Sequence, residues 1–243
     1  MITVWPEQVN PRPERPRYAV LMERRILVLT FVALVGCGPG DEAAPALEAE
    51  EVVRRASAAM AAMESASFEM EVRGAPVEIE GLRFAGARGD YSAPASAAAV
   101  LEMRVGTATF EMSTIAVGSR TWLTDPLTGT WSELPTGLGF NPAIVFGSEG
   151  WVSLLTKDLD GAAVGSRDGN YLLAGSVGKE RVELLTGGIV ADQQVSIELV
   201  IDSDTFHVLK AEFSTESDQG TSDWYIELSN FDRGVTIEPP VTG

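Results

Sequence analysis

From Ser67 onward the chain alternates. The stretch "SFEMEVRG" sets Phe68, Met70 and Val72 on one side and Glu69, Glu71 and Arg73 on the other. A period of two belongs to an extended strand with one dry face and one wet face. "VEIEGLRF" repeats the pattern with Val77 and Ile79, then slips one step at Gly81 so that Leu82 and Phe84 take over. That slip predicts a β-bulge. "AAAVLEMRV" aligns Ala99, Leu101, Met103 and Val105, and "TATFEMSTIAV" contributes Phe110 and Met112 before slipping to Ile115 and Val117. After Gly161 the strands resume. "QQVSIELVID" gives Val195, Ile197, Leu199 and Ile201, "FHVLKAEFST" gives Leu209, Ala211 and Phe213, and "DWYIELSNF" gives Trp224, Ile226 and Leu228.

Helical spacing is confined to two places. Residues 48–65 carry Val52, Val53, Ala56, Met60 and Met63 at intervals of three and four, with Glu48, Glu50 and Glu51 in the first turn, where the helix dipole favours acid. In mid-chain, Asn141 before Pro142 opens a second helix, and Ser148 caps a third whose Trp151, Leu154 and Leu155 share a face. "DPLTG", residues 125–129, is a turn between two short strands. About ten antiparallel strands with one apolar face cannot lie flat in water; they curl, or they stack as two sheets. Helices before the first strand and in the middle fit the concave side of one curled sheet. The expected fold is therefore α+β: a strongly curved antiparallel half-barrel with helices in its hollow.

The N-terminal part reads differently. Residues 1–21 hold four prolines and no period, as an upstream extension would. Residues 22–36 place Arg24 and Arg25 before the apolar run Ile26–Val35. Ten residues at 1.5 Å each fall short of a bilayer, and the layout is that of a secretory signal. Leu34-Val35-Gly36-Cys37 then resembles a lipobox. Cleavage before Cys37 would leave the one cysteine of the chain as a lipidated first residue, and two acyl chains suffice for stable anchoring. "GPGDEAAPAL", residues 38–47, reads as a tether to a domain over residues 48–243.

Charge and composition exclude several function classes. Beyond Cys37 thirteen basic residues face thirty-two acidic ones, which disfavours nucleic acid as a partner. One cysteine excludes disulfide frameworks and multi-thiolate zinc sites. "GSEG" and "GSRDG" lack nucleophile-elbow spacing, and "AGSVGKE" lacks the upstream glycine and the hydroxyl of a phosphate loop. His207 is the sole histidine and reads as structural. No catalytic constellation, metal site or cofactor motif is expected.

"AAMESASFEMEVRG", "VSIELVIDSDTFHVLKAEF" and the closing "WYIELSNFDRGVTIEPP" resemble the LppX/LprG-type lipoproteins. That resemblance implies a half-barrel like that of the LolA/LolB carriers, with an apolar cavity between helices and sheet. It implies a lipid or lipoglycan ligand and an extracytoplasmic, membrane-anchored location. The expected lining is Phe68, Met70, Val72, Val77, Ile79, Leu101, Met103, Phe110, Met112, Val195, Ile197, Leu199, Leu209, Phe213, Trp224, Ile226 and Leu228 from the strands, with Ile144, Trp151, Leu154 and Leu155 from the helical side. "SAAA", residues 96–99, places small side chains where bulkier lining is usual. Alternation alone does not tell a packed core from a cavity wall. The competing expectation is a protein-interaction or sensor module on the same fold, contacting a partner through its acidic outer face or the Trp122/Trp131 hairpin.

Overall fold

The computed structural model describes residues 47–79, 81–135, 159–186 and 188–242. Helix α1 (Ala49–Ala62) leads into β1 (Ser65–Gly74), β2 (Val77–Ile79), β3 (Leu82–Ser92), β4 (Ser96–Val105), β5 (Ala108–Val117), β6 (Arg120–Thr124) and β7 (Trp131–Glu133). After residues 136–158 the chain resumes in β8 (Leu159–Arg167), β9 (Asn170–Val177), helix α2 (Lys179–Leu185), β10 (Val195–Ile201), β11 (Val208–Ser217) and β12 (Gly220–Ser229).

These strands form one antiparallel sheet in the order β7-β6-β5-β4-β3-β1-β12-β11-β10-β9-β8, with β2 added beside β3. Most pairs join strands close in sequence. The long-range pair is β1 with β12, in register from Ser67 opposite Ser229 to Gly74 opposite Ser222, which joins the two halves of the chain. Strands β7 and β8 lie at opposite edges of an unclosed sheet. A sheet this wide accumulates twist and curls. The expected α+β half-barrel is thus observed, and thirty buried side chains from α1, α2 and the concave face form a single core cluster.

Two glycines of β3 let neighbouring strands approach closely. A β-carbon at Gly89 would lie 2.0 Å from the Ala98 carbonyl oxygen, and one at Gly86 would lie 2.4 Å from that of Met70. Neighbouring backbone occupies the space any other residue would need. The C-terminal segment is strapped to the end of the sheet where β1 begins. Asp232 N–H donates to the Ser65 carbonyl at 2.9 Å, Glu64 N–H donates to Asp232 Oδ1 at 2.7 Å, and Ser92 Oγ donates to the Val235 carbonyl at 2.9 Å.

The structure corrects several readings of the pattern. Gly81 is the φ +80° corner of a tight hairpin that sets Val77 opposite Phe84 and Ile79 opposite Leu82, not a bulge. The bulge of β3 falls at Ala85, where register shifts between Phe84 and Gly86. Strand β5 does not slip: its register with β4 is unbroken, and Thr114 and Ala116 take the buried positions instead of Ile115 and Val117. Leu209 is the extra residue of a bulge in β11, and Val208 faces the core in its place. Val105 ends β4 in solvent. Helix α1 stops at Ala62 because Met63 turns extended, at φ −62° and ψ 124°. Helix α2 is absent from the sequence reading: seven residues give too short a period to see, yet Val182 and Leu185 join the core. The helices expected after Asn141 and Ser148 lie outside the described residues.

Helix α1 carries a testable electrostatic feature. Arg54 meets Glu51 through two hydrogen bonds of 2.8 and 2.7 Å and Arg55 through one of 2.6 Å. These bonds, Arg54 first, hold the Glu51 carboxyl down to about 2. Its folded value lies below the unfolded one, so its contribution is complete above about pH 4.3 and fades as pH falls toward 2. A carbon-detected NMR titration should show Glu51 protonating near 2. In the Arg54→Ala, Arg55→Ala double variant the midpoint should return toward the ordinary glutamate range.

Candidate functional site: the concave apolar face

The site is a surface built by register. Antiparallel pairing sets same-facing residues side by side across strands. One row runs Val164, Leu173, Leu199, Ala211, Ile226, Met70, Ala87, Leu101 and Met112, crossing nine strands from β8 to β5 without a charged residue. A second runs Ile197, Phe213, Trp224 and Val72. A third runs Leu228, Phe68, Gly89, Ala99 and Thr114. The rows differ in relief: the second is bulky over β10–β12 and β1, and the third ends small at Gly89, Ala99 and Thr114 on β3–β5.

Trp224 anchors the bulky half. It is fully buried, stacks on Phe213 with centroids 5.7 Å apart and on Phe84 at 6.2 Å, and its Nε1–H donates to Thr215 Oγ1 at 2.9 Å. The one polar atom of a large apolar ring is therefore satisfied inside the core. Helix α1 packs on β8 and β9, with Val52, Ala56 and Met60 buried. Val208 N–H donates to Met60 Sδ at 3.3 Å, fixing the end of the helix to β11.

Of the expected lining, the structure brings together Phe68, Met70, Val72, Val77, Leu101, Met103, Val195, Ile197, Leu199, Phe213, Trp224, Ile226 and Leu228 as buried members of one cluster. Ile79, Phe110 and Met112 are half-buried against it. Leu209 is half-buried at its bulge and outside the cluster. Ile144, Trp151, Leu154, Leu155 and Cys37 lie outside the described residues. The alternation missed Ala87, Leu173, Val177 and Val208, which share the same face. In β3 the bulge and the small residues of "FAGARG" hide the period, and "NYLLAGSV" of β9 carries Tyr171, Leu173 and Val177 at alternate-face positions that only pairing reveals.

The outer face is charged and paired. Arg73 meets Glu71 at 2.6 Å, Arg88 meets Glu111 at 2.8 Å, Arg104 meets Glu102 at 2.7 Å and Lys210 meets Glu227 at 2.5 Å. Depressions of about 520 and 500 Å³ lie there, the first floored by Gly86 and Ala87 and walled by arginine and glutamate. Exposed pairs of this kind contribute about 0–1 kcal/mol each, so they keep the face soluble and hardly hold the fold. Trp122 is buried beneath the Arg120 guanidinium, 4.6 Å away, and is no contact surface for a partner; Trp131 is the half-exposed ring of that hairpin. His207 stacks on Phe231 with centroids 4.2 Å apart. Among the described residues no group of three His, Cys, Asp or Glu could hold a metal ion, and no helix is long and apolar enough to cross a membrane.

The sequence profile of the LppX_LprAFG lipoproteins matches residues 48–237. The chain belongs to this family. Its fold is similar to that of LprF from Mycobacterium bovis, with 16% identity, 80% of this chain and 97% of that one covered, and a TM-score of 0.58. It is also similar to LppX from Mycobacterium tuberculosis, with 16% identity, 78% and 97% coverage and a TM-score of 0.52. A LolA superfamily protein from Nitrosomonas europaea aligns over 80% of this chain and 96% of its own at 13% identity and a TM-score of 0.32. No curated protein matches the chain in sequence.

Proposed function

We propose that this family member is an extracytoplasmic lipoprotein that shelters the acyl chains of a lipid against its concave face and carries them through the envelope. The nine-strand apolar row on an unclosed sheet is the observation that carries this reading. Each CH2 group kept from water is worth about 0.8 kcal/mol, so two long acyl chains of roughly 30 such groups cost about 24 kcal/mol to expose. A lipid crosses an aqueous gap only if the carrier offers an equally dry surface. That needs area and an opening, and no reactive group. Cleavage before Cys37 and acylation of its sulfur keep the carrier at the membrane.

Transfer between vesicles tests the reading. The full chain should speed movement of a fluorescent phosphatidylinositol from donor to acceptor vesicles in proportion to its concentration. A rate no higher than the spontaneous one would reject carriage.

A further inference from the structure

The two ends of the half-barrel are tied differently. At the end where β1 begins, three contacts bind the elements together. Val208 N–H donates to Met60 Sδ and holds α1 to β11, Phe206 of the β10–β11 turn stacks on Tyr171 at 5.7 Å beneath the Arg55 guanidinium, and Asp232 N–H donates to the Ser65 carbonyl. At the other end, past the row of Phe213, Trp224 and Val72, the concave face runs out in one more row, Thr215, Ser222 and Gly74. Thr215 and Ser222 also line a gap of about 360 Å³. One lip of the gap is the start of β2, residues 76–78, and the other is the loop between α2 and β10, residues 189–191 and 193.

This gap leads from solvent to the core. Val77 is a buried member of the main cluster, and Ile189 and Val190 pack against it, so both lips are apolar on their inner side. Thr215 and Ser222 are only 3% and 2% exposed, so a guest reaches them when the lips part. Both lips are lightly held. Strand β2 is three residues long and pairs with β3 alone. The facing loop is tied to β11 by Gln193, whose side-chain amide donates to the Glu216 carbonyl at 2.6 Å and accepts from Glu216 N–H at 2.9 Å. The rim carries Glu78, Gln193, Asp218 and Gln219, and no lysine or arginine lines the gap. Carboxylates and amide oxygens accept hydrogen bonds from hydroxyls. Apolar lips leading to an aromatic row, under an acceptor-rich rim, suit an amphiphile that enters tail first.

We propose that this gap is the portal of the carrier. Acyl chains pass between β2 and the facing loop onto the row of Phe213 and Trp224, and a hydroxylated head group stays at the rim. The portal rests on the carrier reading and adds to it the place where cargo enters and leaves.

The test blocks the gap reversibly. With Cys37 acylated, a cysteine introduced at the exposed rim residue Ala191 is the sole free thiol of the chain. Ala191→Cys in the full acylated chain is coupled through a disulfide to a bulky polyethylene glycol. Ser119→Cys, exposed in the β5–β6 turn at the opposite end, carries the same polymer as a control. The readout is movement of phosphatidylinositol with a fluorescent acyl chain from donor to acceptor vesicles. Polymer at 191 should slow transfer about tenfold or more, and polymer at 119 should leave it unchanged. Reducing the disulfide should restore the parent rate, which separates a blocked portal from a damaged fold. Transfer at the parent rate with polymer at 191, equal slowing from 119, or slowing at 191 that persists after reduction would each overturn the portal while the carrier reading stands. No transfer by the unlabelled parent would overturn the carrier reading and the portal with it.

Discussion

Replacing Trp224 with alanine should lower the free energy of unfolding by about 4 kcal/mol, which urea denaturation of the full chain would read out. Trp224 is fully buried between Phe84 and Phe213 at the point where β12 meets β11 and β1. Truncation removes the transfer energy of the ring and leaves a hole, because strands on both sides are held by ladder hydrogen bonds and cannot collapse into it. Trp224→Phe separates the two parts of the effect. It keeps most of the stack but strands the Thr215 hydroxyl, which is nearly fully buried, without its donor. It should cost about 1–2 kcal/mol. Equal losses for both variants would show that the hydrogen bond, and not the packing of the ring, dominates at this site.

The second large effect comes from adding a single methyl. Gly89→Ala should cost about 3 kcal/mol, because its β-carbon would sit 2.0 Å from the Ala98 carbonyl oxygen and 2.7 Å from the Ala99 α-carbon. Both obstacles are backbone, so relief requires β3 and β4 to part where they are paired from Arg83 to Ser92. Gly165→Ala is the matched control: its β-carbon would meet only the Leu172 carbonyl oxygen, at 3.9 Å. It should change stability by less than about 0.5 kcal/mol. If both variants unfold at the same denaturant concentration, the close approach of strands at Gly89 does not shape the sheet.

What the sequence displays follows from which physical signals are local. The alternation in β1 shows plainly because the strand is long and its wet face is filled with charge, as in "SFEMEVRG"; β10 and β12 show it with fewer charges. The half-barrel could be inferred from those strands together with helix α1. Register is a non-local property, so the nine-strand row emerges only when β1 pairs with β12 across about 150 residues of chain. Bulges are poorly legible for the same reason. At Gly81 a slip in the pattern means a hairpin, whereas at Ala85 and Leu209 an extra residue is absorbed where small or uniformly apolar neighbours leave no mark. In β5 the buried face is continued by Thr114 and Ala116, while the bulkier Ile115 and Val117 point the other way. Side-chain size misleads there because the inner surface needs small residues beside Ala97 and Ala99. Val105 looks like one more core position, yet it ends β4 in solvent.

The central claim is that a lipid occupies the concave face. Native mass spectrometry of the full chain, released gently from its own membranes and then stripped of detergent in the gas phase, tests it most directly. The claim predicts a population heavier than the acylated polypeptide by the mass of a discrete non-covalent lipid. That lipid should be lost when the concave face is blocked by Ala99→Trp in a chain that still folds. A single bare mass, unchanged after incubation with diacyl lipid, would contradict it.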